Sequence, residues 1–354
     1  MLAPIELRET HGATEAFADR LVALINDGSL ALMISIGHRT GLFDALAELG
    51  EVSSTELALA TALEPRYVRE WLGAMVVGRV VEHDGKAGTY ALPDAHAAAL
   101  CRKSGAQLAV LTQYLSALAR VEDQVVECFR RGGGVPDRDD SRFHEITAED
   151  SEQSVVPELE SSILPLVPGL IDRMRLGIEV LELGCGRGVV LLSLAERFPR
   201  SRFHGVDSSA EAIAWARTQA RERGLRNVSF EQRDAGQLGA EHYARYDLIA
   251  TFQSLHEQRD PAAVLAMIAD SLAPGGVYLM QHSASSGQHA GDVGLPLAPL
   301  LYTLSCLRCS STWGRAQTEA MLAAAGFGSV TVSQLEHDRQ DDYYVCRRSA
   351  DELW

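Results

Sequence analysis

Val180-Leu181-Glu182-Leu183-Gly184-Cys185-Gly186-Arg187-Gly188 is the stretch whose reading settles the architecture. The apolar run from Ile178 to Leu183, broken only by two glutamates, reads as a buried strand. It leads into three glycines at alternate positions and then into a helical pattern, Val189 to Phe198. Strand, glycine turn and helix in that order turn backbone N–H groups toward a ligand at the helix N-terminus. The spacing G-x-G-x-G is one residue shorter than the dinucleotide fingerprint G-x-G-x-x-G, and no Lys-Ser/Thr pair follows as a P-loop requires. Glu182 precedes the loop, where a carboxylate would repel a phosphate and attract a cation. A nucleoside carrying an ammonium and a sulfonium, S-adenosylmethionine (SAM), meets both conditions.

Further motifs follow in order. A second strand, Phe203 to Val206, ends in Asp207 and Ser208, where an acidic side chain can accept from ribose hydroxyls. A third strand, Val228 to Gln232, precedes Asp234 and Ala235. The strand Tyr246 to Thr251 runs into Phe252-Gln253-Ser254-Leu255-His256-Glu257. Leu272-Ala273-Pro274-Gly275-Gly276 reads as a turn before a fifth strand, Val277 to Gln281. A helix within Trp313 to Gly326 and two strands near Ser329–Ser333 and Tyr343–Arg347 close the pattern.

In this order the motifs resemble the class I SAM-dependent methyltransferases, over roughly the second half of the chain. The resemblance implies an α/β fold with a Rossmann-like sheet of seven strands, the last antiparallel. It also implies SAM as cofactor, with S-adenosylhomocysteine as product. The residues it assigns to the cofactor are Glu182, Gly184, Cys185, Gly186, Gly188, Asp207, Ser208, Asp234, Ala235, Phe252 and Gln253. Asp234 would take the adenine amino group, and the Phe252 region would meet the methionine moiety and substrate.

Composition bounds the partners. The 354 residues suit two domains, and 46% hydrophobic content supplies a core. Mean hydropathy is −0.03, and no apolar run approaches the roughly 20 residues of a spanning helix, so no membrane is expected. The first residues lack the basic start and apolar stretch of a signal peptide, and the final Asp351-Glu352-Leu353-Trp354 only superficially resembles a retention signal. Six cysteines in a chain of this length are no disulfide scaffold, which points to the cytoplasm. Cys306 and Cys309 have redox spacing without a second pair, Cys185 reads as a small filler, and no metal site is expected. A formal charge of −16 disfavours nucleic acid, whose affinity comes from lysine and arginine on phosphates. The arginines at 187, 200, 202, 217, 221, 223 and 226 read as solvated faces.

The first hundred residues are organised differently. Phe17 to Ile36 carries apolar residues at helical spacing, and a short helix begins after Gly41. Ser53 to Glu56 is a capping box, and Pro65 suits the first turn of a helix running to about Val77. Val80 to Leu92 reads as a hairpin around Asp84-Gly85. Helices followed by a hairpin wing resemble the N-terminal winged helix of small-molecule O-methyltransferases, which pairs two subunits and walls the substrate pocket. Residues 51–100 hold Arg66, Arg69, Arg79 and Lys86 against seven acidic residues, where DNA binding wants a basic face. A homodimer is the expectation. The chain accordingly divides into a winged-helix, dimerisation-type domain (1–100), connecting helices (101–170, including one long helix from Leu108 to Phe129) and a SAM-binding catalytic domain (171–354).

Phe143 to Ser151, Ile163 to Leu170 and Pro296 to Ser305 also resemble a bacterial two-domain subgroup of these methyltransferases. The chain lacks that subgroup's glycine-rich insert before Trp313, and Gln281-His282 replaces its acidic residue after the fifth strand. Both departures fall where substrate would bind, so the acceptor is left open. In plant-type O-methyltransferases a His-Asp pair stands where this chain has His256-Glu257, and the histidine removes the acceptor's proton. His144, His282 and His289 are lesser candidates, and Tyr302, Trp313 and Met280 could shape an apolar pocket. The reading that results is a methyltransferase acting on a small molecule, with His256 as general base if the acceptor is a hydroxyl. Two other readings stand beside it: a ligand-sensing winged-helix regulator that keeps a SAM-type fold, and a SAM-binding enzyme that does not methylate.

Overall fold

Capping chemistry punctuates the N-terminal unit. The computed structural model describes residues 4–102, 108–133, 135, 141–308 and 313–349 and falls into two units, Met1–Ser116 and Ala117–Trp354. Helix α1 (Pro4–Thr40) is followed by α2 (Leu42–Leu49), α3 (Ser54–Thr61) and α4 (Pro65–Val77). The Ser53 backbone N–H donates to Glu56 Oε2 at 2.8 Å while the Glu56 N–H donates to Ser53 Oγ at 3.3 Å, so the capping box is formed. Strands β1 (Glu82–Asp84) and β2 (Thr89–Ala91) pair antiparallel as the wing. Leu46, Leu57, Leu72 and Met75 are fully buried, and the Trp71 indole N–H donates to the Met33 carbonyl at 2.9 Å. Only glycine fits at 37, since a Cβ there would lie 2.5 Å from the Trp71 ring.

Helix α1 departs from expectation in length and in surroundings. It is one continuous helix of 37 residues, whose segment Gly12–Thr40 is long and apolar enough to cross a membrane. The sequence reading saw no such run because Asp27 and its polar neighbours interrupt the stretch at 26–29. Phe17, Leu21, Leu24, Ile25, Leu32 and Ile36 are all exposed, and their spacing of three, four and eight places most of them on one stripe.

The second unit is built on a seven-stranded sheet. Its strands are β3 (Glu179–Leu183), β4 (Arg202–Asp207), β5 (Val228–Gln232), β6 (Tyr246–Phe252), β7 (Leu272–Ser283), β8 (Phe327–Leu335) and β9 (Asp338–Arg348). Their order is β5-β4-β3-β6-β7-β9-β8, parallel from β5 to β7, with β9 antiparallel to both neighbours. Side chains alternate between the two faces. Val180, Leu248, Val277 and Leu279 join one apolar cluster, while Leu181, Leu183, Ile249, Tyr278 and Met280 join the other. The chain reverses direction across the sheet between β3 and β6, and the carboxyl ends of strands at such a switch point form a crevice.

Several connecting elements differ from the sequence reading. The long helix expected from Leu108 to Phe129 is broken, with helices at Gln113–Ala119 and Glu122–Arg131. Val121 leaves helical geometry at φ −115°, and Glu122 and Asp123 open a new helix with acidic groups at its positive end. Strand β7 starts at Leu272, so the expected Pro-Gly-Gly turn lies within it as an irregularity in the pairing with β6. Cys309, Gly134 and Asp351–Trp354 lie outside the described residues.

Candidate functional site

The glycine loop between β3 and the helix Val189–Arg197 holds left-handed backbone at all three glycines, with φ of +67°, +51° and +68°. Two of them also admit close neighbours. A Cβ at Gly184 would lie 2.3 Å from Ser254 Cβ, and one at Gly188 would lie 2.3 Å from the Phe230 ring. Gly186 differs, because a Cβ there would meet nothing within 4 Å. The crest of the loop therefore faces open space, while its feet are packed.

Carboxylates surround this loop. Asp207, at the end of β4, accepts the Gly186 N–H through Oδ2 at 2.8 Å and the Ser209 N–H through Oδ1 at 2.8 Å. Each carboxylate oxygen retains lone-pair capacity for a further donor. Glu182 lies on the face of β3 shared with Val180 and is 4% exposed. Its Oε2 is buried and has no hydrogen-bond partner among the described residues. Desolvation, and then the charge of Asp207, push its carboxyl well above the ordinary carboxylate range. A buried acid in that state ionises favourably only when a cation or strong donor arrives. Burial likewise raises the Cys185 thiol, which leaves it a neutral filler.

The other assigned residues sit along the same strand ends. Asp234 is exposed, and its Oδ1 accepts from the Gly236 N–H at 2.9 Å, capping the short turn that begins with buried Ala235. Ser208 is exposed, and its carbonyl accepts from Gln232. Phe252 packs against the core cluster that contains Val180. Gln253 is left-handed at φ +53°, and its amide nitrogen donates to Asp341. Ser254 donates to the Leu183 carbonyl at 2.7 Å, which ties the end of β6 to the end of β3.

Some groups near these ends gave no signal in the sequence. Asp338 and Asp341 of β9 accept from the Gln281 amide at 2.8 and 2.9 Å. Burial, and then the charge of Asp338, hold the Asp341 carboxyl well above its ordinary range. Arg187 was expected on a solvated face, yet its side chain is 10% exposed. It pairs with Glu211 at 2.6 Å and Glu145 at 3.6 Å and lies over the Trp215 ring, so it ties helix Ser141–Ser154 to the glycine loop. Asp292 accepts from Ser285, Ser286 and Tyr302 at 2.6, 2.7 and 2.8 Å. Although desolvation opposes ionisation, these bonds hold its carboxyl down to about 2.

His256 lies in the turn Leu255–Glu257 after β6 and is half-buried, while Glu257 beside it is exposed. Its ring stands 5.6 Å from that of His282, which stacks on Trp313 at 5.3 Å. Neither ring nitrogen of His282 makes a well-formed hydrogen bond. Desolvation, and then the charge of His256, lower its pKa from 6.5 to about 3. The unfolded chain therefore binds a proton at this residue below pH 6.5 that the folded chain refuses down to about pH 3. Stability from neutral His282 is complete above the upper value and is lost as pH falls through that window. At about 1.4 kcal/mol per unit, some 2–3 kcal/mol should be lost between pH 6.5 and 4.5. Urea melts of wild type and His282→Gln at several pH values test this. The variant should show a flatter slope over the interval, and parallel slopes would refute the assignment.

Comparisons with known proteins agree with the fold. The family described as Rv2258c-like winged HTH domain matches residues 28–102, and the family described as methyltransferase domain matches residues 175–312. Trans-aconitate 2-methyltransferase of Deinococcus radiodurans is 36% identical over 107 residues, covering 30% of this chain and 38% of its own. Aklanonic acid methyltransferase of Streptomyces sp. is 39% identical over 101 residues, covering 28% and 46%. The chain thus spans under half the length of these curated relatives. Among solved structures, mitomycin 7-O-methyltransferase superposes with TM-score 0.68 at 17% identity, covering 96% of this chain and all of that one. Human N-acetylserotonin methyltransferase, solved with SAM, superposes with TM-score 0.66 at 18% identity, covering 94% and 98%. Residues 28–102 thus match the Rv2258c-like winged HTH family and residues 175–312 the methyltransferase-domain family, and the chain has the fold of these solved methyltransferases.

Proposed function

We propose that this protein is a SAM-dependent methyltransferase acting on a small-molecule acceptor, with a hydroxyl as the favoured nucleophile. The observation that carries the reading is the orphaned, buried Glu182 Oε2 beneath a glycine loop whose crest is open. That pairing suits a cationic nucleoside and not a dinucleotide phosphate. Glu182 would hold the ammonium of the amino-acid end, Asp207 the ribose hydroxyls, and Asp234, Ala235 and Ser208 the adenosine side. Phe252 and Gln253 would bound the methionine moiety. When bound, SAM supplies an electrophilic methyl whose transfer leaves a neutral thioether, so no anion needs stabilising as the bond to sulfur breaks. The chain's work is to hold the acceptor oxygen in line and to remove its proton. His256 is the proposed base, taking that proton on a ring nitrogen while its neighbour His282 stays neutral. Calorimetric titration should give a micromolar Kd for SAM, and absence of heat in buffers of differing ionisation enthalpy would sink the reading.

The protein is further proposed to work as a cytoplasmic homodimer. Among the described residues no disulfide joins two cysteines, which suits a reducing compartment. The exposed apolar stripe of α1 is the kind of surface that a second copy covers. Asp19, Arg20 and Asp27 on the same helix suit a protein interface better than a bilayer. The double change Leu21→Glu with Ile25→Glu should convert a dimer to a monomer in sedimentation, with the winged-helix core intact by circular dichroism. A wild type that sediments as a monomer would reject the dimer.

A further inference from the structure

A second cluster of chemistry lies on the β4–β5 edge of the sheet, apart from the glycine loop. In the parallel register His204 pairs with Ser229 and Val206 with Glu231, so the side chains of 204, 206, 229 and 231 share one face. The turn Ala240–His242 brings His242 to the same place. His204, Glu231 and His242 each offer one donor atom, and all three atoms lie within 4.8 Å of one another.

The hydrogen bonds around the trio are those of oriented ligands. His204 Nδ1 is bonded to Ser229 Oγ at 2.9 Å, which turns its Nε2 toward Glu231 Oε2 at 3.3 Å. His242 Nδ1 is bonded to the Tyr246 hydroxyl at 2.8 Å. Its Nε2 is buried without a hydrogen-bond partner among the described residues, on a side chain only 3% exposed. The other oxygen of Glu231 accepts from Arg233 Nε at 2.6 Å, and Arg233 also pairs with Glu241 at 2.9 Å. Each inward donor is therefore fixed by a bond from its far side, the arrangement that outer partners give to metal-binding imidazoles and carboxylates. Bonds of 2.0–2.1 Å in a tetrahedral zinc site place ligand atoms about 3.3 Å apart, which is the His204–Glu231 separation already present.

We propose that His204 Nε2, His242 Nε2 and Glu231 Oε2 bind a divalent transition-metal ion of the zinc class. Two imidazoles and one carboxylate are a zinc donor set, with a fourth position for water or for Glu241, whose Oε1 lies 3.7 Å from His242 Nε2. The neighbouring Arg233 and Arg245 oppose a cation, but Arg233 is held by Glu231 and Glu241 and Arg245 faces Glu179 at 3.5 Å. The bound ion would staple the segment that follows Asp234 to the edge of the sheet. It would not take part in methyl transfer, and the proposal does not depend on that activity.

The test uses the full chain, stripped with chelator and titrated with zinc chloride by calorimetry and with cobalt chloride by visible absorption. One equivalent of zinc should bind, cobalt should give the intense bands of a tetrahedral N/O site, and zinc should raise the melting temperature. Glu231→Gln, which keeps the side-chain shape, and His242→Ala should each weaken zinc by at least about 10-fold, with folding verified by circular dichroism. Absence of binding by wild type would overturn the proposal. So would unchanged affinity in folded Glu231→Gln, which would assign the metal to other residues.

Discussion

Replacing Glu182 with glutamine should weaken SAM binding by about 10- to 100-fold and leave the unliganded protein as stable as before, or more so. The two effects have one cause. A charge-assisted hydrogen bond contributes about 1.5–3 kcal/mol, and each 1.4 kcal/mol is tenfold in affinity. In the empty site the same carboxyl is raised by desolvation and by Asp207, so it contributes stability below about pH 4.5 and loses it as pH rises toward its folded value. Glutamine removes that liability and should flatten the decline of melting temperature between acid and neutral pH. Binding should also release up to one proton at neutral pH, read as a dependence of calorimetric heat on buffer ionisation. A folded Glu182→Gln with wild-type affinity and wild-type proton release would remove the central argument for a cationic ligand.

The glycine loop was legible because its chemistry is local. Left-handed backbone at Gly184, Gly186 and Gly188 is forbidden territory for most side chains, so alternating glycines after an apolar strand announce the turn. The order of strands was legible for a related reason. Two of the apolar runs lead into a polar residue with a loop role, β4 ending in Asp207 and β6 being followed by Gln253. What the sequence hides is anything assembled across strands. His204, Glu231 and His242 have no spacing motif, and only the β4–β5 register and the turn before β6 bring them together. Asp338 and Asp341 likewise come to Gln281 and Gln253 through the antiparallel return of β9.

What a side chain or a helix face meets is the part that a sequence shows least. Arg187 looked solvated because most arginines are, yet its neighbours Glu145, Glu211 and Trp215 come from two helices and neutralise and cover it. For helix α1 the apolar residues between Phe17 and Ile36 recur at helical spacing, which announces a helix but not what its face meets. In the isolated chain that stripe is exposed, and periodicity alone does not say whether a face meets the chain's own core or another molecule.

His256→Ala should lower kcat by about 10²–10⁴ while SAM affinity stays within a few-fold, the range that removal of a general base produces. His282 is buried against Trp313 and is held neutral down to about pH 3, so it contributes no ionisation to a rate profile between pH 5 and 9. An acid limb in that interval is assigned to His256, the imidazole 5.6 Å away, only if it disappears in His256→Ala, because the raised carboxyls of Glu182 and Asp341 remain in that variant. If His256 is the base, an acid limb of the wild-type kcat should be missing from the residual rate of His256→Ala. His256→Gln separates shape from basicity, because it keeps a polar side chain that cannot take the proton. A variant with normal kcat would make His256 a packing residue, and one that loses SAM affinity in proportion to rate would make it a support for the cofactor. A rate lost at constant affinity, together with loss of the acid limb, would leave proton removal as its role.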